Sequence, residues 1–125
     1  MTLTGIVGDE ESRQKRGVLT SPNYPQLYPN NQDSTQTIRV AEGKIVYIDF
    51  TNFNTEREYD FVTLTDGDGT DLTDQLGHGG TFLSGKKVDD LPFGYSSSNI
   101  VHVHFHTDGN MQRSGWRLEW EAMVG

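Results

Sequence analysis

The most informative stretch of the chain reads Gly17-Val18-Leu19-Thr20-Ser21-Pro22-Asn23-Tyr24-Pro25 and continues as Leu27-Tyr28-Pro29-Asn30-Asn31. It predicts one short strand followed by a loop with two Tyr-Pro corners. Each proline fixes its own φ and biases the preceding tyrosine toward extended backbone. The asparagines suit turns, because their side chains hydrogen-bond to nearby backbone groups. A strand that leads into a turn-rich loop is typical of an all-β domain.

Composition narrows the class of protein and the kind of partner. A chain of 125 residues has the length of one domain, which can bury a core without help from a metal or a disulfide. The hydrophobic content of 33% and the 14 glycines fit short strands joined by turns. The net charge of −8 argues against a nucleic-acid partner, because phosphate backbones require clusters of Lys and Arg. That charge favours a cation or a protein partner that presents lysines.

The sequence also bears on location and domain bounds. The chain has no cysteine, which is unusual for a secreted animal domain of this size. It has no apolar stretch near the ~18 residues that a transmembrane helix needs, so we expect no membrane insertion. Residues 1–16 are polar and predict a lead-in, although Leu3 to Val7 could add an edge strand. Residues 17–125 then form the folded domain.

Alternating apolar and polar residues recur at short intervals along this domain. Val46, Ile48 and Phe50 share one strand face, and Trp116, Leu118 and Trp120 share another. A further short strand is predicted around Asp74 to Leu76, before a glycine-rich loop. This pattern predicts an all-β, jelly-roll-like sandwich of two antiparallel sheets. The predicted core includes Ile38, Val46, Ile48, Phe50, Phe61, Val101, Val103, Phe105, Trp116, Leu118 and Trp120.

Two acidic loops contain the residues that could bind a metal ion. Residues 54–60 stand at the entry to a predicted strand, and residues 105–110 stand at the exit of another. Calcium binds oxygen ligands from carboxylates, amides and backbone carbonyls, which both loops can supply. Residue types alone leave open whether the loops form a calcium site or are solvated turns.

Six motifs in order give the chain a resemblance to the CUB domain, an extracellular β-sandwich module that is often calcium-dependent. They span residues 17–120, nearly the whole chain. The motifs are Ser21 to Pro25, Tyr59-Asp60-Phe61-Val62, Asp66-Gly67, Leu76-Gly77 with Gly80, Ser96 to Asn99, and Phe105 to Asp108 followed by Gly115-Trp116. The resemblance implies a non-catalytic module for protein interaction or adhesion, usually within a larger secreted protein.

The same resemblance implies a set of site residues. Glu56, Asp60 and Asp108 correspond to the calcium-binding carboxylates of such domains, with help from the loop at Gly109 and Asn110. Tyr24 corresponds to the supporting tyrosine, and a lysine of a partner would bind against Tyr24, Glu56 and Asp108. The loop between Phe53 and Tyr59 is shorter than is usual in the family, so Glu58 or Asn54 could replace Glu56. Ser34, Arg57 and Gly79 stand where family cysteines usually lie.

Other readings of the sequence remain open. A carbohydrate-binding module would need exposed aromatic side chains, for which Tyr24, Tyr28 and Tyr95 are candidates. A metal-free spacer domain is a second alternative.

His102, His104 and His106 alternate with apolar residues and could share a transition metal or sense pH, although a plain solvent-facing row is the simpler expectation. No catalytic motif occurs, so we expect no enzymatic activity.

Overall fold

The computed structural model describes residues 15–76 and 82–125. Residues 1–14 of the predicted lead-in, with its possible edge strand, lie outside the described residues. The glycine-rich segment 77–81 also lies outside them. Arg16, which was placed in the lead-in, belongs to the first strand. The elements are β1 Arg16–Thr20, β2 Asp33–Arg39, β3 Lys44–Asn54, β4 Phe61–Asp66, α1 Thr73–Leu76, β5 Lys86–Lys87, β6 Phe93–Tyr95, β7 Ile100–His106 and β8 Gly115–Val124.

The strands form two antiparallel sheets, as the alternating pattern predicts. One sheet has the order β1-β8-β3-β5, with β6 also paired to β3. The other has the order β2-β7-β4. The sheets enclose an apolar core in which Trp116, Phe50 and Phe105 are at most 1% exposed. Edge-to-face contacts join the Trp116 ring to Phe50 and Phe105. The prediction of an all-β sandwich is therefore confirmed.

Two local predictions are wrong. Phe61 was expected in the core, but it pairs with the outward-facing His106, so Val62 and Leu64 take the inward positions of β4. The Phe61 ring stacks on His106 at 4.9 Å between centroids. The segment around residues 74–76 forms part of the short helix α1 instead of a strand.

Local capping accounts for this helix. The Asp71 carboxylate accepts from the Thr73 N–H at 2.8 Å, which satisfies a backbone donor that the first helical turn leaves free. Leu72 and Leu76, four residues apart, both enter the core with 2% and 3% exposure. Among the described residues, no helix has the length and hydropathy needed to span a membrane.

Candidate metal centre

The pairing of β4 with β7 brings the two acidic loops together. Phe61, the first residue of β4, lies opposite His106, the last residue of β7. Asp60 directly precedes β4, and Asp108 follows β7 by two residues, so both reach the same end of the three-stranded sheet. The sequence could not show that these loops meet, and antiparallel register makes them do so.

The three predicted carboxylates form one cluster. Each of Glu56, Asp60 and Asp108 offers an oxygen, and these oxygens all lie within 4.8 Å of one another. Asp60 is fully buried, whereas Glu56 and Asp108 are half-buried and open toward solvent. The cluster thus combines one buried carboxylate with two that are partly accessible to solvent.

The shortened loop before Asp60 makes Glu56 a member of the cluster. The Asp60 N–H donates to the Glu56 carbonyl at 2.9 Å, which closes the loop into one tight turn. Glu58, with φ of 73°, is exposed and lies outside the cluster. The Asn54 amide donates to Ser114 Oγ at 3.5 Å. Of the two acidic alternatives in this loop, the structure therefore brings Glu56, not Glu58, to the other carboxylates.

The loop after β7 is held by one hydrogen bond within the loop and one to the loop before β2. The Asn110 N–H donates to Asp108 Oδ1 at 3.2 Å, and the Asp108 carbonyl accepts from the Asn31 N–H at 2.7 Å. Gly109 and Asn110 are exposed immediately beside the cluster. Their position fits the predicted role of this loop as a source of further oxygen ligands.

Tyr28, rather than Tyr24, supports the cluster. The Tyr28 hydroxyl donates to Asp60 Oδ2 at 2.6 Å and accepts from the Glu56 N–H at 3.0 Å. The Asp108 N–H donates to the other Asp60 oxygen, Oδ1, at 2.8 Å. These bonds fix the Asp60 carboxylate from both sides, while the Tyr28 ring packs edge-on against Phe105.

Tyr24 lies elsewhere, so the sequence assigned the supporting role to the wrong tyrosine. It is half-buried and lines a surface depression of about 390 Å³ together with Asn52, Lys86 and Lys87. The sequence did contain a signal for Tyr28, because Tyr28-Pro29 repeats the Tyr24-Pro25 pair four residues later. Full burial of Tyr28 also removes it from any sugar-stacking platform, which weakens the carbohydrate alternative.

The electrostatics of the cluster favour a bound cation. Burial raises the pKa of Glu56, and the neighbouring carboxylates of Asp108 and Asp60 raise it further, while Arg113 opposes these effects. Burial likewise raises the pKa of Asp60 against the lowering effect of the Tyr28 hydroxyl bond. Glu56 Oε1 is buried without a hydrogen-bond partner among the described residues. Such an orphaned oxygen among like charges fits a hard cation with oxygen ligands.

Asp66, at the other end of β4, shows the contrasting case. It is also fully buried, and burial would raise its pKa, but hydrogen bonds from Ser97, Ser98 and the Gly67 N–H outweigh burial and lower the pKa. The protein itself therefore satisfies Asp66. Asp60 and Asp66 are equally buried, but only Asp60 belongs to the acidic cluster.

Replacing Tyr28 by phenylalanine is expected to lower the free energy of unfolding by about 1–3 kcal/mol, because Asp60 and the Glu56 N–H lose buried partners. Urea denaturation in chelator measures this change. Tyr24→Phe is the matched control and should change stability by less than about 0.5 kcal/mol. A loss for Tyr24→Phe that equals the loss for Tyr28→Phe would contradict the assignment.

The protein is therefore a β-sandwich module of two antiparallel sheets with a candidate metal centre at one end. The CUB domain family matches residues 8–120 of the chain. Human cubilin is 33% identical over 111 residues, which are 85% of this chain and 3% of cubilin. Bone morphogenetic protein 1 of Xenopus laevis is 32% identical over 114 residues, which are 88% of this chain and 15% of that protein. The chain thus spans a small share of the length of these relatives.

Solved structures are similar over most of this chain. The crystal structure of the MASP-1 CUB2 domain bound to Ca²⁺ has a TM-score of 0.71 and 26% identity, covering 86% of this chain and 93% of that one. The full extracellular region of zebrafish Gpr126/Adgrg6 has a TM-score of 0.75 and 27% identity, covering 90% of this chain and 14% of that one.

The chain therefore belongs to the CUB domain family. CUB domains are non-catalytic modules of extracellular proteins and mediate protein interactions. The resemblance drawn from six short motifs is confirmed.

Proposed function

We propose that this chain is a calcium-dependent, non-catalytic binding module of a larger secreted protein, mediating protein–protein interaction or adhesion. The module corresponds to residues 17–125, with residues 1–16 as a polar lead-in from which Arg16 enters β1. Membership of the CUB family and the extracellular setting of the relatives support this proposal.

The acidic cluster carries the calcium part of the proposal. One oxygen from each of the three carboxylates lies within 4.8 Å of the others, and Oε1 of Glu56 is buried without a hydrogen-bond partner among the described residues. Bringing these charges together without a cation costs free energy, as the raised pKa of Glu56 and Asp60 reflects. A bound calcium ion would supply the positive charge that draws the two loops into one fixed arrangement. Glu56, Asp60 and Asp108 would hold it, with oxygens from Gly109 and Asn110.

The expected partner presents a lysine. Three carboxylates carry one negative charge more than a divalent ion neutralises, of which Arg113 offsets a part at Glu56. The net charge of the chain is also negative. The two loops expose apolar side chains beside the cluster, with Tyr59 58% and Met111 53% accessible. An ammonium group can bind the half-buried Glu56 and Asp108 while its aliphatic stem packs on these side chains.

The test uses NMR titration of the labelled chain with a short trilysine peptide and with the same peptide carrying acetylated lysines. We expect the trilysine peptide to shift the amide signals of residues 56–60 and 108–111 in calcium and to shift them less in chelator. The acetylated peptide should leave these signals in place, because it lacks the ammonium charge. Equal shifts with both peptides, or stronger binding in chelator, would contradict calcium-dependent lysine recognition.

Two alternatives are outcomes of the same titration series. A metal-free spacer would show neither calcium nor peptide shifts at the cluster. A carbohydrate module would respond to glycans through Tyr24 or Tyr95, and Tyr95 is 52% exposed beside Tyr47, with 4.9 Å between ring centroids. Shifts confined to those tyrosines on addition of glycans would favour that alternative.

A further inference from the structure

The outer face of the five-stranded sheet exposes aromatic side chains that lie outside the candidate metal centre. Phe93 and Tyr95 on β6 are 58% and 52% exposed. Tyr47 on β3 lies directly opposite Tyr95, and their ring centroids are 4.9 Å apart. Asp49 lies opposite Phe93 on the same face, because directly opposed residues of antiparallel strands point to the same side of a sheet. The surface is therefore an open aromatic platform that includes a carboxylate.

The neighbouring strand β8 adds two more carboxylates to this face. Glu121 lies opposite Tyr47, and Glu119 lies opposite Asp49. Like charges in directly opposed positions destabilise a sheet, so the fold gains nothing from pairing Asp49 with Glu119. Arg117 bonds to Glu119 at 2.9 Å, whereas neither Asp49 nor Glu121 forms an ion pair within the described part of the chain. Two carboxylates beside the Tyr47 ring are thus left without a bound cation.

A surface depression of about 370 Å³ lies over this part of the sheet. Its lining residues include Tyr47 and Asp49 of β3, Glu119 and Glu121 of β8, and Arg16 of β1. Among the described residues that line it, three carry a carboxylate, and Arg16, opposite Glu121, offsets one of these charges. The depression therefore has a negative net charge. Burial raises the pKa of Tyr47, and the Asp49 carboxylate raises it further, so the ring lies in a negative field.

We propose that this depression is a docking site for an arginine side chain of a protein partner. A guanidinium group stacks on an aromatic face and donates hydrogen bonds to carboxylates in a planar fork. Tyr47 supplies the ring, and Asp49 and Glu121 supply acceptors next to it. The exposed Phe93 and Tyr95 extend the contact surface for apolar groups that flank the arginine. The site belongs to the five-stranded sheet, so it does not rest on the calcium centre at the end of the other sheet.

Charge and shape decide between this occupant and two others. A neutral sugar can stack on the aromatic rings, but it gains no Coulomb energy from carboxylates that lack a cation, whereas a guanidinium group does. A lysine ammonium group is more strongly hydrated than a guanidinium group and has no plane with which to stack. The combination of a ring with two adjacent carboxylates therefore favours arginine.

NMR titration of the labelled chain with a triarginine peptide tests this site. We expect saturable shifts of the amide signals of residues 47–49, 93–95 and 119–121, with an affinity at least threefold higher than that of trilysine. The affinity at these signals should be the same within twofold in calcium and in chelator at constant ionic strength. A peptide with citrulline in place of each arginine keeps the shape without the charge and should leave these signals in place.

The double variant Asp49→Asn, Glu121→Gln should weaken triarginine binding at these signals at least tenfold. The matched control is Asp33→Asn with Glu42→Gln, which removes two exposed carboxylates outside the depression and should bind within twofold of the unmodified chain. Asp49→Asn relieves the like-charge contact with Glu119, so its Tm should not fall, and a lost shift then reports binding and not unfolding.

Three results would overturn the proposal. The first is the absence of saturable shifts at the depression with triarginine. The second is an equal response to the citrulline peptide, to trilysine or to a neutral glycan, because the site would then not select a guanidinium group. The third is an equal loss of affinity in the double variant and in its matched control, which would mean that the peptide responds to the net charge of the chain.

Discussion

Asp60→Asn is expected to abolish the stabilisation of this chain by calcium. Asp60 is the buried member of the acidic cluster, and its two oxygens are fixed by Tyr28 and the Asp108 backbone. An amide keeps the shape of the side chain but removes the charge that an ion requires. At calcium a hundredfold above its Kd, binding adds about 2.7 kcal/mol to the free energy of unfolding. For a domain of this size we expect a rise in Tm on the order of 10 °C, which Asp60→Asn should lose.

Asp66→Asn is the matched control for this experiment. Asp66 is as deeply buried as Asp60 and ends the same strand, but it bonds to Ser97 and Ser98. Its replacement should lower Tm in calcium and in chelator alike, because it removes hydrogen bonds and no metal ligand. The difference between calcium and chelator should therefore survive in Asp66→Asn and vanish in Asp60→Asn. A calcium shift retained in Asp60→Asn would show that the cluster is not the binding site.

Gly115→Ala is expected to cause the largest loss of stability, at least about 3 kcal/mol. Gly115 has φ of +91°, a conformation that costs an L-residue about 1–3 kcal/mol. A Cβ at this position would collide with the Ser21 hydroxyl, lie 2.9 Å from Ser21 Cβ and lie 3.3 Å from the Tyr28 ring. Ser21 Oγ accepts from the Trp116 N–H at 3.0 Å, so its displacement leaves a buried donor without a partner. Urea denaturation measures this loss.

Gly43→Ala separates the collision from the backbone strain. Gly43 has the same φ of +91°, and a Cβ there would have no atom within 4 Å. It should cost about 1–3 kcal/mol from conformation alone, without the added cost of a collision. Because Tyr28 also contacts the added methyl group in Gly115→Ala, that variant should bind calcium more weakly than Gly43→Ala. Equal stability of the two variants would mean that Ser21 does not hold β8 as described.

The strands were predictable from residue types because their alternating signals are local and repeated. Val46, Ile48 and Phe50 alternate cleanly with outward-facing residues, and the structure buries all three. The predicted meeting of Asp60 with Asp108 depended on the resemblance, since spacing along the chain does not reveal strand register. Once β4 pairs with β7, the two residues reach the same end of the sheet.

The misassigned residues share a different physical cause. Phe61 and Val62 are both apolar neighbours on one strand, so their composition alone does not say which faces inward; pairing with His106 decides it. Tyr24 and Tyr28 stand in Tyr-Pro pairs that look alike in the sequence, and only the folded loop shows that Tyr28 is the one buried against Asp60. In both cases tertiary contacts choose between two locally equivalent residues.

Isothermal titration of the chelator-treated chain with Ca²⁺ measures whether Glu56, Asp60 and Asp108 bind calcium. We expect one saturable site for Ca²⁺ per chain and much weaker binding of Mg²⁺, which dehydrates reluctantly and demands near-octahedral geometry. Saturable binding that Asp60→Asn removes would support the centre. A titration with calcium that shows no saturable binding in the unmodified chain, or the same site in Asp60→Asn, would contradict it.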